Sequence, residues 1–165
     1  MDQTEQQFQR FVNGLDYPLF IVTTAGDGER DGCLVGFATQ CSIHPPLFLV
    51  CLSNKNRTYR IAQSAEVLVV HAIPDERHDL AELFGGETAD DDPHKLDKVD
   101  WRPGPGGAPI VDGLPNWFAG KITERLDWSG DHEGFVLSPV AAQVGDDERE
   151  LGFQEAKDIE PGHAP

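Results

Sequence analysis

The sequence predicts a mainly β protein, an antiparallel β-barrel with a few capping helices. About six to eight short apolar runs alternate with turn signals, and two or three further segments have helical periodicity. No Gly-x-Gly-x-x-Gly follows a strand, which disfavours a Rossmann dinucleotide site. We expect a single domain over residues 1–145, followed by an acidic, loosely ordered tail over residues 146–165.

The N-terminal third predicts a helix followed by a hairpin. Residues 3–15 place Phe8, Phe11, Val12 and Leu15 on one helical face, which we expect to cover one mouth of the barrel, with partner binding as the alternative. Residues 17–24 are a β-branched-rich strand, and Ala25-Gly-Asp-Gly28 is a tight turn signal. Residues 32–41 should return antiparallel, and the glycines within them suggest a bulge or a close approach of the backbone.

The central stretch, residues 36–59, contains two apolar runs separated by Ser42-Ile-His-Pro-Pro46. The two prolines carry no amide hydrogen, so they end one strand and start the next. The second run ends in a polar turn, where Asn56 is a good N-cap for a helix over residues 57–65. A helix start with free amides beside Asn56 and Thr58 could hold an anion such as phosphate, or be a plain structural corner.

The second half predicts a central strand, a helix and a long hairpin. Residues 66–73 form an apolar strand, in which His71 is interpreted as a core histidine rather than a catalytic one. Residues 74–84 predict a helix that Gly85 and Gly86 stop. Residues 116–128 and 132–139 should pair antiparallel.

Composition excludes several classes of function. A net charge of −16, from 13 basic against 29 acidic residues, argues against nucleic acid as a partner. No apolar run of 18 or more residues and no signal peptide is present, so we expect a cytoplasmic protein without a membrane span. Cys33, Cys41 and Cys51 lie in apolar runs without a Cys-x-x-Cys and are expected to be reduced core residues.

No metal site is predicted. Asp90, Asp91, Asp92 and His94 lie close together, but their spacing matches no calcium loop, so residues 87–98 are interpreted as a solvated acidic loop.

Four segments in order carry a resemblance to a known family. They are Ser42-Ile-His-Pro-Pro46 with its following strand, Asn56-Arg-Thr58, Leu83-Phe-Gly-Gly86, and Gly130-Asp-His-Glu-Gly134. Together they resemble the flavin reductase family, over roughly residues 15–140. The resemblance implies an FMN-binding split β-barrel with Greek-key antiparallel strands, generally a homodimer.

The resemblance also implies a set of site residues. His132 would lie beside the flavin and the nicotinamide as the catalytic residue, and Phe84 and Gly85 near the cofactor. Backbone groups along Thr39, Gln40, Cys41 and Ser42 could read the pyrimidine edge of the flavin, because a strand end before a Pro-Pro turn leaves its polar groups unpaired. The FMN phosphate would bind at Asn56 and Thr58.

The implied function is an NAD(P)H-dependent flavin reductase that transfers a hydride from nicotinamide to FMN, with FAD as the alternative flavin, and supplies a partner monooxygenase. Two alternatives stay open. One is a flavin-binding or redox-sensor protein without nicotinamide turnover, and the other is a split barrel for haem or a deazaflavin. The chain departs from the family pattern at Gly36, Phe37 and Ala38, where relatives often carry Ser, Asn or Thr, and at Leu96, where they often carry an aromatic residue.

Overall fold

A computed structural model describes residues 1–86, 93–145 and 150–159. The described residues form the helices α1 (Gln3–Asn13), α2 (Arg57–Ala62) and α3 (His78–Gly85). They also form the strands β1 (Phe20–Gly26), β2 (Glu29–Val35), β3 (Ala38–Ser42), β4 (Leu47–Ser53), β5 (Val67–Ala72), β6 (Trp101–Pro103), β7 (Pro109–Val111), β8 (Trp117–Leu126) and β9 (His132–Gln143). None of the helices in these ranges has the length and apolar character that a membrane crossing needs.

The main sheet is antiparallel, with the strand order β2-β1-β5-β8-β9-β4-β3, and β6 and β7 form a separate pair. β2 and β3 lie at opposite edges of the sheet, although only Gly36 and Phe37 separate them in the chain. The sheet must therefore curl until its two edges approach each other. The backbone amide of Cys51 on β4 donates to the carbonyl of Phe37 at 2.8 Å, which extends the β3–β4 pairing into this two-residue link. The predicted mainly β, curled barrel is confirmed.

The interior of the curled sheet is filled by alternate side chains of its strands, as the two-residue period of a strand requires. The buried residues of this core include Val22, Val50, Leu52, Leu68, Val70, Phe135 and Leu137. A second apolar cluster lies between the outer face and α3, where Leu80, Ala81 and Phe84 pack with Leu19, Ile21 and Ile73.

Local signals placed most elements correctly. Asp27 and Gly28 take positive φ in the predicted turn between β1 and β2, and the Asn56 side chain accepts from the Tyr59 amide as the N-cap of α2. The Pro-Pro segment separates β3 from β4, and its His44–Pro45 peptide bond is cis. β8 and β9 form the predicted long hairpin.

Helix α1 differs from its prediction. Asp2 and Glu5 form a capping box at its start, but no residue of the helix is buried, and Phe8 and Phe11 are 58% and 66% exposed. The expectation that its apolar face covers a mouth of the barrel is therefore wrong for the single chain. The periodicity identified the apolar face, but it does not specify what the face contacts.

Helix α3 begins at His78 rather than at Pro74. Pro74 instead forms a β-bridge with Glu150, and the Arg77 amide donates to the Pro74 carbonyl in a turn. Pro74, which composition assigned to the first helical turn, is thus engaged in a long-range pairing instead.

The C-terminal segment, residues 150–159, is packed against the core, contrary to the expectation of a loosely ordered tail. Leu151 is buried, its amide donates to the Ile73 carbonyl at 2.7 Å, and its carbonyl accepts from Leu19 at 3.0 Å. Apolar burial and backbone pairing therefore outweigh the acidic composition. Residues 146–149 and 160–165 lie outside the described residues.

The expected acidic loop is also packed where it is described. Residues 87–92, including Asp90, Asp91 and Asp92, lie outside the described residues, but Lys95–Lys98 form a 3-10 turn in which Lys95 and Leu96 are buried. The Lys95 Nζ lies 3.3 Å from the Asp31 carboxylate and also donates to the Gly32 carbonyl. No group of three or more potential metal ligands occurs in the described ranges.

His71 is the predicted core histidine. It is fully buried, with Nδ1 2.9 Å from the Ile21 carbonyl, while Nε2 accepts from the Val111 amide at 3.0 Å. Nδ1 therefore carries the proton of a neutral ring that ties β5 to β1 and β7. Desolvation lowers the His71 pKa from 6.5 to about 4, although the bond to Ile21 opposes this shift.

Stability should fall in acid through His71. The fold holds the ring neutral while the unfolded chain takes up a proton below pH 6.5, so this contribution is complete above pH 6.5 and is lost as the pH falls towards 4. The expected loss is about 3 kcal/mol of unfolding free energy. The free energy of unfolding, measured in urea between pH 7 and 4, should depend less steeply on pH in His71→Gln than in the wild type. Equal slopes of unfolding free energy against pH would contradict this.

Candidate active site

A cavity of about 380 Å³ opens where the curled sheet meets α3 and the C-terminal segment. This volume lies in the range of small-molecule sites. Strands β2 and β4, the β2–β3 link, the start of β9, the end of α3 and the C-terminal segment all contribute to its wall. The lining residues are Tyr17, Leu19, Cys33, Leu34, Val35, Gly36, Phe37, Cys51, Ser53, Asn56, Phe84, Gly85, His132, Phe153, Ala156, Lys157 and Ile159.

His132 is held on three sides. It is the first residue of β9, where it pairs in register with Ser53 of β4. Its Nδ1 lies 2.8 Å from the Asp131 carboxylate, and the Phe37 ring packs against it with centroids 5.0 Å apart. With Nδ1 engaged, Nε2 is the ring nitrogen that can contact a ligand. The hydrogen bond from His132 keeps the pKa of Asp131 below its usual value.

The turn before β9 is anchored by Asn54. The Asn54 amide donates to the Asp131 carbonyl at 2.9 Å, and its side chain donates to the Gly130 carbonyl at 3.2 Å. The Gly-Asp-His turn is thus tied to the polar turn after β4, which places His132 beside Ser53 and Asn56. Both are nearly buried cavity-lining residues, with exposed fractions of 6% and 8%.

The opposite wall is apolar. Phe84 is fully buried at the end of α3, next to Gly85. A Cβ on Gly85 would lie 2.5 Å from Leu34 Cδ2, so this glycine lets α3 end close against β2. Cys51 is half-buried in the cavity wall, and desolvation raises the pKa of its thiol, which therefore stays protonated near neutral pH.

The C-terminal segment closes one end of the cavity. Phe153 stacks on Tyr17 with ring centroids 4.8 Å apart and an interplanar angle of 15°. The Phe153 amide also donates to the Tyr17 carbonyl at 2.8 Å. The stacked pair and the neighbouring Ala156, Lys157 and Ile159 form this end of the wall.

Four of the predicted site residues meet at this cavity, and the others do not. His132, Asn56, Phe84 and Gly85 line it. Thr39, Gln40, Cys41 and Ser42 lie on the edge strand β3 away from it; the first three are exposed, and the Gln40 side chain donates to the Ser42 carbonyl. The chain crosses the cavity mouth earlier, at Gly36 and Phe37.

Thr58 is buried behind the site rather than in it. Its hydroxyl donates to the Asp31 carboxylate at 3.1 Å, and its exposed fraction is 0%. A hydroxyl in this position holds α2 to β2, which corrects the expectation that it binds a phosphate.

The cavity lining also includes five residues that were not predicted from the sequence: Phe37, Ser53, Tyr17, Phe153 and Lys157. Ser53 lies two residues after Cys51 on one strand face, so strand alternation could have identified it. Leu151 and Phe153 are apolar residues within an acidic tail, which was a signal of packing that composition obscured. No local signal indicates the stacking of Tyr17 on Phe153, because the two residues are far apart in the chain.

The chain belongs to the flavin reductase-like family, since residues 12–158 match the model of the flavin reductase like domain. The chain is 32% identical over 149 residues to the FMN reductase (NADH) RutF 2 of Rhizobium rhizogenes, covering 88% of this chain and 82% of that protein. It is 30% identical over 116 residues to the flavin-dependent monooxygenase reductase subunit HsaB of Mycobacterium tuberculosis, covering 68% and 57%.

The fold is similar to that of the Streptomyces globisporus NADH:FAD oxidoreductase SgcE6, solved in complex with NAD and FAD fragments. The TM-score is 0.80 at 22% identity, covering 94% of this chain and 92% of that one. Some relatives are longer, and the chain spans only 41% of a probable flavin reductase of Rhizobium meliloti, to which it is 31% identical.

The cavity residues fit a flavin. A flat aromatic ring with polar edges needs apolar walls and a few hydrogen-bonding groups. Val35 and Phe84 provide apolar wall, and Ser53 and Asn56 provide hydrogen-bonding groups. The Gly85 backbone, with no Cβ, keeps Leu34 in place beside the same space.

Proposed function

We propose that this chain is an NADH-dependent flavin reductase that uses FMN. The observation that carries the proposal is the cavity, which brings His132, Asn56 and Phe84 together from three separate segments. The family membership of the chain and its relation to an FMN reductase (NADH) support the choice of flavin and donor.

When bound, the flavin supplies the chemistry of hydride acceptance from a nicotinamide. The protein binds the two ligands, orients them against each other and excludes water. Asp131 fixes a proton on Nδ1 of His132, which leaves Nε2 as the ring nitrogen that would contact the nicotinamide carboxamide. Ser53 and Asn56 offer polar contacts, while Phe84, Val35 and Phe37 keep water from the reacting faces.

A monooxygenase is the proposed consumer of the reduced flavin, by analogy with HsaB, a reductase subunit of a flavin-dependent monooxygenase. We also propose a cytoplasmic homodimer. Its interface would use the apolar surface left exposed in the single chain, which includes Phe8, Phe11, Ile43 and Trp128, together with the edge strand β3. Sedimentation velocity would test the dimer, and a monomer at micromolar concentration would exclude it.

The function is tested by an absorbance scan of the purified protein with added FMN, followed by anaerobic NADH. Flavin bands that bleach on adding NADH, faster than FMN alone with NADH, are the expected result. Bands that persist would instead indicate a flavin-binding protein without reductase activity. Absence of flavin binding at micromolar concentration would overturn the proposal, and haem or a deazaflavin would be titrated next.

A further inference from the structure

The charge around the cavity is uneven. The chain has a net charge of −16, which repels an anionic ligand at long range. Among the described residues that line the cavity, Lys157 is the one lysine or arginine. A ligand that carries phosphate therefore meets a single fixed cation in the cavity wall.

Lys157 is positioned but not neutralised. Its Nζ donates to the Asn13 carbonyl at 2.8 Å and lies 5.3 Å from the centroid of the Phe153 ring. Both partners are uncharged, and no carboxylate in the described part of the chain lies within ion-pair distance of Lys157. An ammonium group in this setting keeps its charge available for an anion, with donor hydrogens left over from the bond to Asn13.

Arg57, the basic residue next to the expected phosphate site, is paired with carboxylates, unlike Lys157. Arg57, which follows Asn56, lies 3.6 Å from Asp31 and 3.8 Å from Glu29, and it also donates to the Arg30 carbonyl. Its guanidinium is largely neutralised by these carboxylates. Arg57 therefore holds α2 against β2 and does not line the cavity.

The segment that carries Lys157 is rigidly anchored. Gly152 forms a β-bridge with Pro18, the Gln154 amide donates to the Asp16 carboxylate at 3.0 Å, and His78 of α3 lies 3.0 Å from Asp158. A cation on an anchored segment loses little conformational entropy when a ligand binds, so its contact with an anion contributes more to affinity.

We propose that Lys157 binds a phosphate group of the ligand that occupies this cavity. The inference rests on the proposed function and adds a binding residue to it. The phosphate belongs either to the flavin or to the pyridine nucleotide, since both ligands carry the same chemistry. A charge-assisted hydrogen bond of this kind should contribute about tenfold to affinity.

The experiment compares Lys157→Met with the wild type against ligands with and without phosphate. Dissociation constants are measured for FMN and riboflavin by fluorescence quenching, and for NADH and reduced nicotinamide riboside by calorimetry. Lys157→Arg should retain affinity. Lys121→Met, at an exposed position on β8, removes one charge from a residue outside the cavity lining and is the matched control for net charge.

A loss of about tenfold for FMN with riboflavin unchanged would assign Lys157 to the flavin phosphate. The same loss for NADH with the riboside unchanged would assign it to the nucleotide. Equal effects on both members of each pair, or an equal loss in Lys121→Met, would overturn the proposal. Failure of the wild type to bind flavin or NADH would instead count against the proposed function itself.

Discussion

Replacing Asp31 with Ala should cost about 3–5 kcal/mol of unfolding free energy. Asp31 and Lys95 are each 1% exposed, and the carboxylate also accepts the Thr58 hydroxyl and faces Arg57. Removing it leaves the Lys95 ammonium buried without its counter-charge, and desolvation of an unpaired charge is a large penalty. Urea unfolding monitored by tryptophan fluorescence measures the difference.

Glu29→Ala provides the matched control, because Glu29 is the other acidic partner of Arg57 and its side chain is 42% exposed. Solvent screening should make its removal nearly neutral. The double variant Asp31→Leu, Lys95→Met removes both charges and should recover much of the loss. Equal stabilities of Asp31→Ala and Glu29→Ala would show that the buried pair contributes nothing specific.

Replacing His132 with Ala should lower kcat/KM for NADH by about tenfold to a hundredfold, with FMN affinity nearly unchanged. The ring is positioned by Asp131 and Phe37, and the variant removes the group proposed to orient the nicotinamide. Loss of orientation at the reacting centre has effects of this size. Stopped-flow reduction of bound flavin by NADH measures the change, and an FMN titration tests whether binding is retained.

His94→Ala is the control for this variant. His94 forms a similar contact, with Nδ1 3.0 Å from Asp97, but its side chain is 72% exposed and lies outside the cavity. It should not change turnover. If Asp131 acts through His132, Asp131→Asn should cause part of the His132→Ala loss, and the double variant should lose no more than His132→Ala alone. Unchanged turnover in His132→Ala would reject the assigned role.

Elements with local signals could be predicted from the sequence, and features that depend on distant partners could not. The Gly-containing turn at Asp27 and Gly28 and the Asn56 cap each depend on a few adjacent residues. Lys95, in contrast, is buried because Asp31 and Gly32 are its partners, and Gly32 lies 63 positions before Lys95 in the sequence. A lysine beside a run of acids gives no sign of such a partner.

In the site, too, residues with local sequence signals could be predicted and residues positioned by distant partners could not. His132 and Asn56 lie in short motifs with recognisable turn and cap chemistry, and both line the cavity. Thr58 was assigned from its position at a helix start, but the hydroxyl faces Asp31 because α2 turns that side towards β2. Lys157 lies in a segment whose acidic composition suggested weak order, and its role depends on packing against residues near the other end of the chain.

The packing of the C-terminal segment has a consequence for how the protein is made. Lys157 contacts Asn13 across 144 residues, and the Gln154 amide contacts Asp16 across 138. Synthesis proceeds at about 5–20 residues per second, so all nine described strands leave the ribosome before this segment does. We expect the nascent chain to carry a sheet whose cavity is still open at one end. Ligand capture should therefore be complete only after these long-range contacts have formed.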